Sequence, residues 1–220
     1  MKKDRIATLY LCLGVAYVGV YAGTVWADQP VNITATVPTE AVLHNGKNVR
    51  VERNQDNFNQ IDPDYSLTSR PCPPYCIQPM VLAPGVETIG ELEIIDYAKR
   101  AGRDNNVLVI DSRDGDWPQR SGVIPGAISI PWQELHPGHT EPEKIADTLV
   151  FRFGATRHGS LWNFENAKTL VLYCNGPWCG QSPTNIKQLL SLGYPAHKLK
   201  WYRGGMQDWK VLGLSTVPPR

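Results

Sequence analysis

LVLYCNGPWCGQSP, residues 170–183, is the stretch on which the reading of this chain turns. Leu170, Val171, Leu172 and Tyr173 form a short apolar run after a turn at residues 166–169, the pattern of a strand buried on both faces of a parallel sheet. Cys174 stands at the C-terminal end of that strand. Ser182 followed by Pro183 predicts a helix start, because a serine N-cap satisfies an orphan N–H and proline at the first helical position gives none up. Ile186, Leu189 and Leu190 then recur at helical spacing as far as the Gly193-Tyr194-Pro195 stop. The unit is strand, thiol loop, helix. A loop laid over a helix N-terminus directs backbone N–H groups and the positive end of the helix dipole into its bowl, where an anion is favoured. A thiolate or a persulfide is such an anion.

Outward from this unit, the chain alternates strands and helices. A helix carrying Leu92, Ile94, Ile95 and Ala98 ends at Gly102, and Val107 to Ile110 reads as the next buried strand, so a right-handed crossover in a parallel sheet is expected. Residues 128–130 form a short strand closed by Pro131, and residues 141–153 a helix begun at Pro142 with Ile145, Leu149 and Phe153 on one face. The fold class is α/β, a parallel sheet flanked by helices. Residues 28–85 are mostly irregular, polar and rich in Asn, Asp and Pro. Within them Asn45-Gly46 predicts a hairpin turn between Val42-Leu43 and the segment from Val49 to Val51. Residues 54–69 read as loop. Residues 70–80 pack four prolines around Cys72 and Cys76, which excludes a helix and makes a rigid arm. That arm either brings its sulfurs near a site or is stapled to itself; its spacing suits neither a common zinc finger nor a Cys-X-X-Cys redox motif.

A length of 220 residues is enough for one substantial core, and a net charge of +1 offers no electrostatic case for nucleic acid. Lys2, Lys3 and Arg5 precede an apolar run from Ile6 to Trp26, and Val25-Trp26-Ala27 resembles a small-residue cleavage site before Asp28. The expectation is a signal peptide over residues 1–27, a periplasmic or otherwise exported mature protein and no stable membrane anchor after cleavage; the competing reading is an uncleaved anchor. Cys72, Cys76, Cys174 and Cys179 would remain, and an even count in an exported chain points to disulfides. His136 and His139 flank a Pro-Gly turn and bring too few ligands for a metal. No metal or other cofactor is called for.

Three further motifs then fall in order. Val107-Leu108-Val109-Ile110-Asp111-Ser112-Arg113, then Trp117 and Gly122-Val123-Ile124-Pro125-Gly126-Ala127, precede the thiol loop; Trp201-Tyr202-Arg203-Gly204-Gly205-Met206-Gln207-Asp208-Trp209 follows it. Over about residues 86–218 the chain resembles the rhodanese-like, or sulfurtransferase, family. Val123 stands where that family usually has histidine, and the loop after Cys174 is about two residues longer than the commonest form, resembling the Cys-X-Gly-Pro-aromatic-Cys variants. The resemblance implies a structural Asp111–Arg113 pair and a turn-rich stretch with Arg157 and His158 near the mouth of the site.

Sulfane-sulfur transfer needs a thiol of lowered pKa in a site that stabilises an anion without trapping it. Cys174 is the candidate nucleophile, with Cys179 as a resolving thiol. Asn175, Gly176, Trp178, Gly180 and Gln181 are the candidate substrate-binding residues of the loop, joined by Arg113 and Arg203 as sources of positive charge. Asn175 stands where the resemblance would put an arginine, which weakens the case for a dianionic donor such as thiosulfate. A phosphatase loop would carry arginine where Gly180 stands, so phosphate-ester hydrolysis is disfavoured. The partners implied are a small sulfur donor with a thiol or cyanide-like acceptor, or a thiol protein. Two other functions stay open: thiol-disulfide exchange through a reducible Cys174–Cys179 bond, and a non-catalytic binding module.

Overall fold

Asn45 and Gly46, at φ 51° and 73°, turn the chain tightly between β1 (Thr39–His44) and β2 (Lys47–Glu52), the expected hairpin. The computed structural model describes residues 29–219, so the expected signal segment lies outside the described residues. Past the hairpin comes one turn of helix, α1 (Pro63–Ser66), in a stretch read from sequence as loop. Four residues hold no legible periodicity, and its one apolar anchor, Tyr65, is buried. Then follow β3 (Glu87–Ile89), α2 (Glu91–Arg100), β4 (Val107–Asp111), α3 (Trp117–Ser121) and β5 (Ile128–Ser129). α4 (Pro142–Asp147) continues as a π-helical stretch through Arg152, so the expected helix at 141–153 is present with a change of winding. A small exposed hairpin, β6 (Thr156–His158) and β7 (Leu161–Asn163), leads to β8 (Thr169–Tyr173), α5 (Gln181–Ser191), β9 (Leu199–Tyr202) and α6 (Gly205–Val211).

The main sheet has the order β3-β9-β8-β4-β5, all parallel. β8 lies at its centre, and Leu170 through Tyr173 are fully buried. Alternation sends Val171 and Tyr173 to one face, against Ile94, Ala98, Met206 and Trp209, and Leu170 and Leu172 to the other, against Leu149, Phe153, Ile186 and Leu189. Each such side chain contributes about 1.5–3 kcal/mol on burial, so the strand end that carries Cys174 is anchored from both faces. Of the apolar residues of α2, Ile94, Ile95 and Ala98 are buried and Leu92 is exposed. The hairpin is not peripheral: Val42 and Val51 share the first of these cores with Tyr65 of α1. Among the described residues, no helix is long and apolar enough to cross a membrane.

Candidate active site

β8 delivers Cys174 to the carboxyl edge of the sheet, between two helix N-termini. α6 holds the loop from one side: the Met206 N–H donates to the Cys174 carbonyl at 3.0 Å and the Gln207 N–H to the Asn175 carbonyl at 2.9 Å. Such close approach requires Gly205, at φ 56°, since a Cβ there would lie 2.4 Å from the Cys174 oxygen. α5 holds the sulfur from the other side. The helix starts at Gln181, two residues earlier than sequence predicts, so Ser182 is not an N-cap. Its buried hydroxyl, freed from capping, donates to Cys174 Sγ at 3.1 Å and accepts from Trp201 Nε1 at 3.2 Å.

Cys174 and Cys179 are both free and buried. Sequence anticipated a reducible bond between them; the structure holds the dithiol form. Burial pushes the Cys174 thiol up, but hydrogen bonds from the Cys179 S–H, the Ser182 hydroxyl and the Ser182 and Asn175 N–H groups outweigh it and hold the thiol below its ordinary value. Cys179 shifts the opposite way. Burial, the S–H donated to Cys174 and the charge of that sulfur all push it well above a normal thiol. The two thiols are thus pushed in opposite directions, Cys174 toward the thiolate and Cys179 toward the protonated form.

The loop is fixed from three directions. Trp178 Nε1 donates to Gln207 Oε1 at 2.6 Å, and Gln207 Nε2 to the Tyr65 carbonyl at 3.2 Å. The Gln78 N–H of the arm donates to the Pro177 carbonyl at 2.8 Å. The arm itself is closed by a Cys72–Cys76 disulfide, and Tyr75 packs edge-on against Trp178 at 5.5 Å, so it is both stapled to itself and laid beside the site. Gly176 has no room for a side chain: a Cβ would come 2.9 Å from Gln207 Oε1 and 3.1 Å from Trp178 Nε1.

Both arginines proposed as substrate ligands have other roles. Arg113 is fully buried against Asp111, with Nη2 to Oδ2 at 2.6 Å, and also donates to Ser121 Oγ at 2.7 Å, Tyr65 OH at 3.0 Å and the Gly122 carbonyl at 2.7 Å. The Tyr65 hydroxyl passes this support on to Asn175 Oδ1 at 3.2 Å. A guanidinium so fully engaged cannot reach a ligand; it braces the loop, as the Asp111–Arg113 pairing implied by the resemblance anticipates. Arg203 donates twice to the Gln78 carbonyl, at 3.1 and 2.9 Å, and fastens the arm. Asn175, expected to bind substrate, is largely buried and accepts from the Tyr65 hydroxyl, yet it also lines the cavity above the loop. The β6–β7 hairpin is also misplaced by the resemblance: Arg157 pairs with Glu143 and lies over Trp162, away from the loop.

A cavity of about 390 Å³ opens onto the loop. Asn175, Trp178, Gly180 and Gln181 line it as expected, and so does Cys179, whereas Cys174 is not in its wall. Pro74, Tyr75, Asp114, Trp117, Trp132 and Thr184 complete its wall. A separate concavity of about 420 Å³ beside the first hairpin contains neither cysteine. Sequence reasoning missed Ser182 as a sulfur ligand, Tyr65, Gln207, Asp114 and Trp132, which long-range packing brings in from five different segments. Among the described residues, no three His, Cys, Asp or Glu side chains are grouped to hold a metal ion.

A family model described as a Rhodanese-like domain matches residues 95–212, more than half of the chain. No curated protein matches the sequence. Among solved structures, a protein of unknown function from Rhodopseudomonas palustris, described as a possible tyrosine phosphatase, is 21% identical and covers 62% of this chain and 88% of its own, with a TM-score of 0.41. A Bacillus halodurans protein is 20% identical over 59% of this chain and 77% of its own, at 0.40. The human single-domain sulfurtransferase is 19% identical over 57% of this chain and 96% of its own, at 0.37.

Proposed function

Since the chain belongs to the rhodanese-like domain family, we propose that it moves sulfane sulfur through a persulfide on Cys174. The observation that carries this reading is the buried Cys174 sulfur at the end of the central strand, which accepts the Ser182 hydroxyl at 3.1 Å in surroundings that lower its pKa. In the first step the thiolate attacks the outer sulfur of a donor RSSH; a new S–S bond forms at Cys174, the donor's S–S bond breaks, and RS⁻ leaves with the electron pair. The same donors that hold the thiolate then face the persulfide anion. An acceptor such as cyanide takes the outer sulfur as thiocyanate, and the electron pair of the broken bond restores the thiolate.

A second reading is supported by the two free thiols of one loop, with Cys174 Sγ 3.5 Å from the Cys179 carbonyl. The Cys179 sulfur, once deprotonated, attacks the inner sulfur of the Cys174 persulfide and expels hydrosulfide, leaving a Cys174–Cys179 disulfide. The two cysteines are oxidised and the sulfane sulfur is reduced to sulfide; an external dithiol must then reset the pair. In this reading the protein exchanges thiols and disulfides with a partner, and Cys179, which lines the cavity, is the sulfur a partner meets first.

Export of the mature chain from about Asp28 is part of the same proposal. It is supported by the charged and apolar pattern of residues 1–27 and by the Cys72–Cys76 disulfide, a bond that persists in oxidising compartments. The test of the activity is thiocyanate formation from an alkyl persulfide and cyanide. Wild-type protein should turn over and Cys174→Ser should not; an unchanged rate in that variant would defeat the reading.

A further inference from the structure

The cavity above the loop has a chemistry that the sulfur reaction does not by itself require. Four aromatic rings, Tyr75, Trp117, Trp132 and Trp178, line it together with Asp114, and no lysine or arginine does. Asp114 is half-buried and accepts hydrogen bonds from Trp132 Nε1 at 2.9 Å, Gln133 Nε2 at 2.7 Å and Gln181 Nε2. All three donors are neutral, and none of the ion pairs among the described residues includes Asp114. Its charge is therefore oriented but not neutralised.

Two arginines lie near these rings without entering the cavity. Arg120 sits 4.8 Å from the Trp117 ring and is paired with Asp64 and Asp116. Arg70 sits 4.1 Å from the Trp178 ring and lines a neighbouring groove bounded by the arm. Trp117 and Trp178 thus already serve as cation platforms. The cavity they share holds the Asp114 carboxylate, which Trp132 touches through Nε1, and no lysine or arginine.

Aromatic faces grouped about a carboxylate attract a cation with an apolar body, since the ring quadrupole and the fixed charge act together and little water need be retained. A dianion meets the opposite field. We infer that this cavity binds an organic ammonium group, quaternary or primary, on a small molecule; resting on the proposed sulfur chemistry, the sulfur-carrying substrate is then an ammonium-bearing thiol or persulfide rather than thiosulfate. Trp178 and Gln181 join the two functions, for both belong to the thiol loop or the start of α5 and both line the cavity.

The test is calorimetric titration of the full chain with choline, with its neutral tert-butyl isostere and with thiosulfate, at constant ionic strength. Choline should bind saturably, the isostere about tenfold more weakly or worse, and thiosulfate should neither bind nor compete. Asp114→Asn should weaken choline by about tenfold. Because that change also disturbs three hydrogen bonds, Thr184→Lys provides a second variant: a cation introduced on the α5 wall should abolish choline binding and admit thiosulfate, with thermal unfolding showing that the fold is retained. Equal binding of choline and its isostere would reduce the cavity to an apolar hole and overturn the inference, as would tighter binding of thiosulfate than of choline. Cys174→Ser should still bind choline, so a failed sulfur reaction and a failed cation site give different results.

Discussion

Replacing Ser182 with alanine isolates the one side-chain hydroxyl that donates to the nucleophile. Its O–H reaches Cys174 Sγ at 3.1 Å in a fully buried site where water cannot substitute. A hydrogen bond to a charged group contributes about 1.5–3 kcal/mol. With 1.36 kcal/mol per pKa unit, its loss should raise the Cys174 pKa by about one to two units. The assay is the pH dependence of alkylation at Cys174, located by fragment-ion mass spectrometry because Cys179 shares the peptide. In wild type the rise should fall below the pH of an ordinary thiol; in Ser182→Ala it should move up by that amount. Stability follows with a definite sign. The folded-state pKa of Cys174 is lowered, so its hydrogen bonds add stability as pH rises from that value, fully so above the ordinary thiol pKa of about 8.5. The variant should therefore lose more stability on the alkaline side than on the acid side, over and above the pH-independent cost of leaving Trp201 Nε1 without its acceptor. An alkylation profile identical to wild type would refute the claim that Ser182 holds the thiolate.

Gly205→Ala should displace the loop, because the new Cβ would meet the Cys174 carbonyl at 2.4 Å and the backbone would sit at φ 56°; slower Cys174 alkylation with retained secondary structure is the expected reading. Arg113→Met leaves Asp111 charged and unpaired in the core, and should cost about 3–5 kcal/mol in urea unfolding; a variant of unchanged stability with a raised KM would return Arg113 to the substrate site. Cys179→Ser should fold and carry a longer-lived Cys174 persulfide, measured by the decay of cyanide-labile sulfur, and an unchanged lifetime would remove its resolving role.

The sheet was legible because β8 and β4 are apolar on both faces, a pattern that only a covered parallel strand sustains. The Asn-Gly hairpin was legible from two residues with one conformational demand. The position of Cys174 followed from the strand that ends there. Ser182 was misread because Ser-Pro is a sound local signal for a helix start, and the neighbouring Cys174 sulfur, eight residues back in the chain, drew the hydroxyl instead. Arg113 and Arg203 were taken for ligands because sequence shows a charge but not what it pairs with; Asp111 and the Gln78 carbonyl occupy them. The wall of the cavity was least legible, since Tyr75, Asp114, Trp132 and Thr184 share no spacing and meet only in the folded chain.

The most direct test of the central claim is the intact mass of the full chain after incubation with an alkyl persulfide and removal of the excess, read before and after cyanide. The account predicts a gain of one sulfur atom on the wild-type protein, lost to cyanide as thiocyanate and absent from Cys174→Ser. The same gain on Cys174→Ser, or none on a wild-type protein whose Cys174 remains alkylatable, would contradict it.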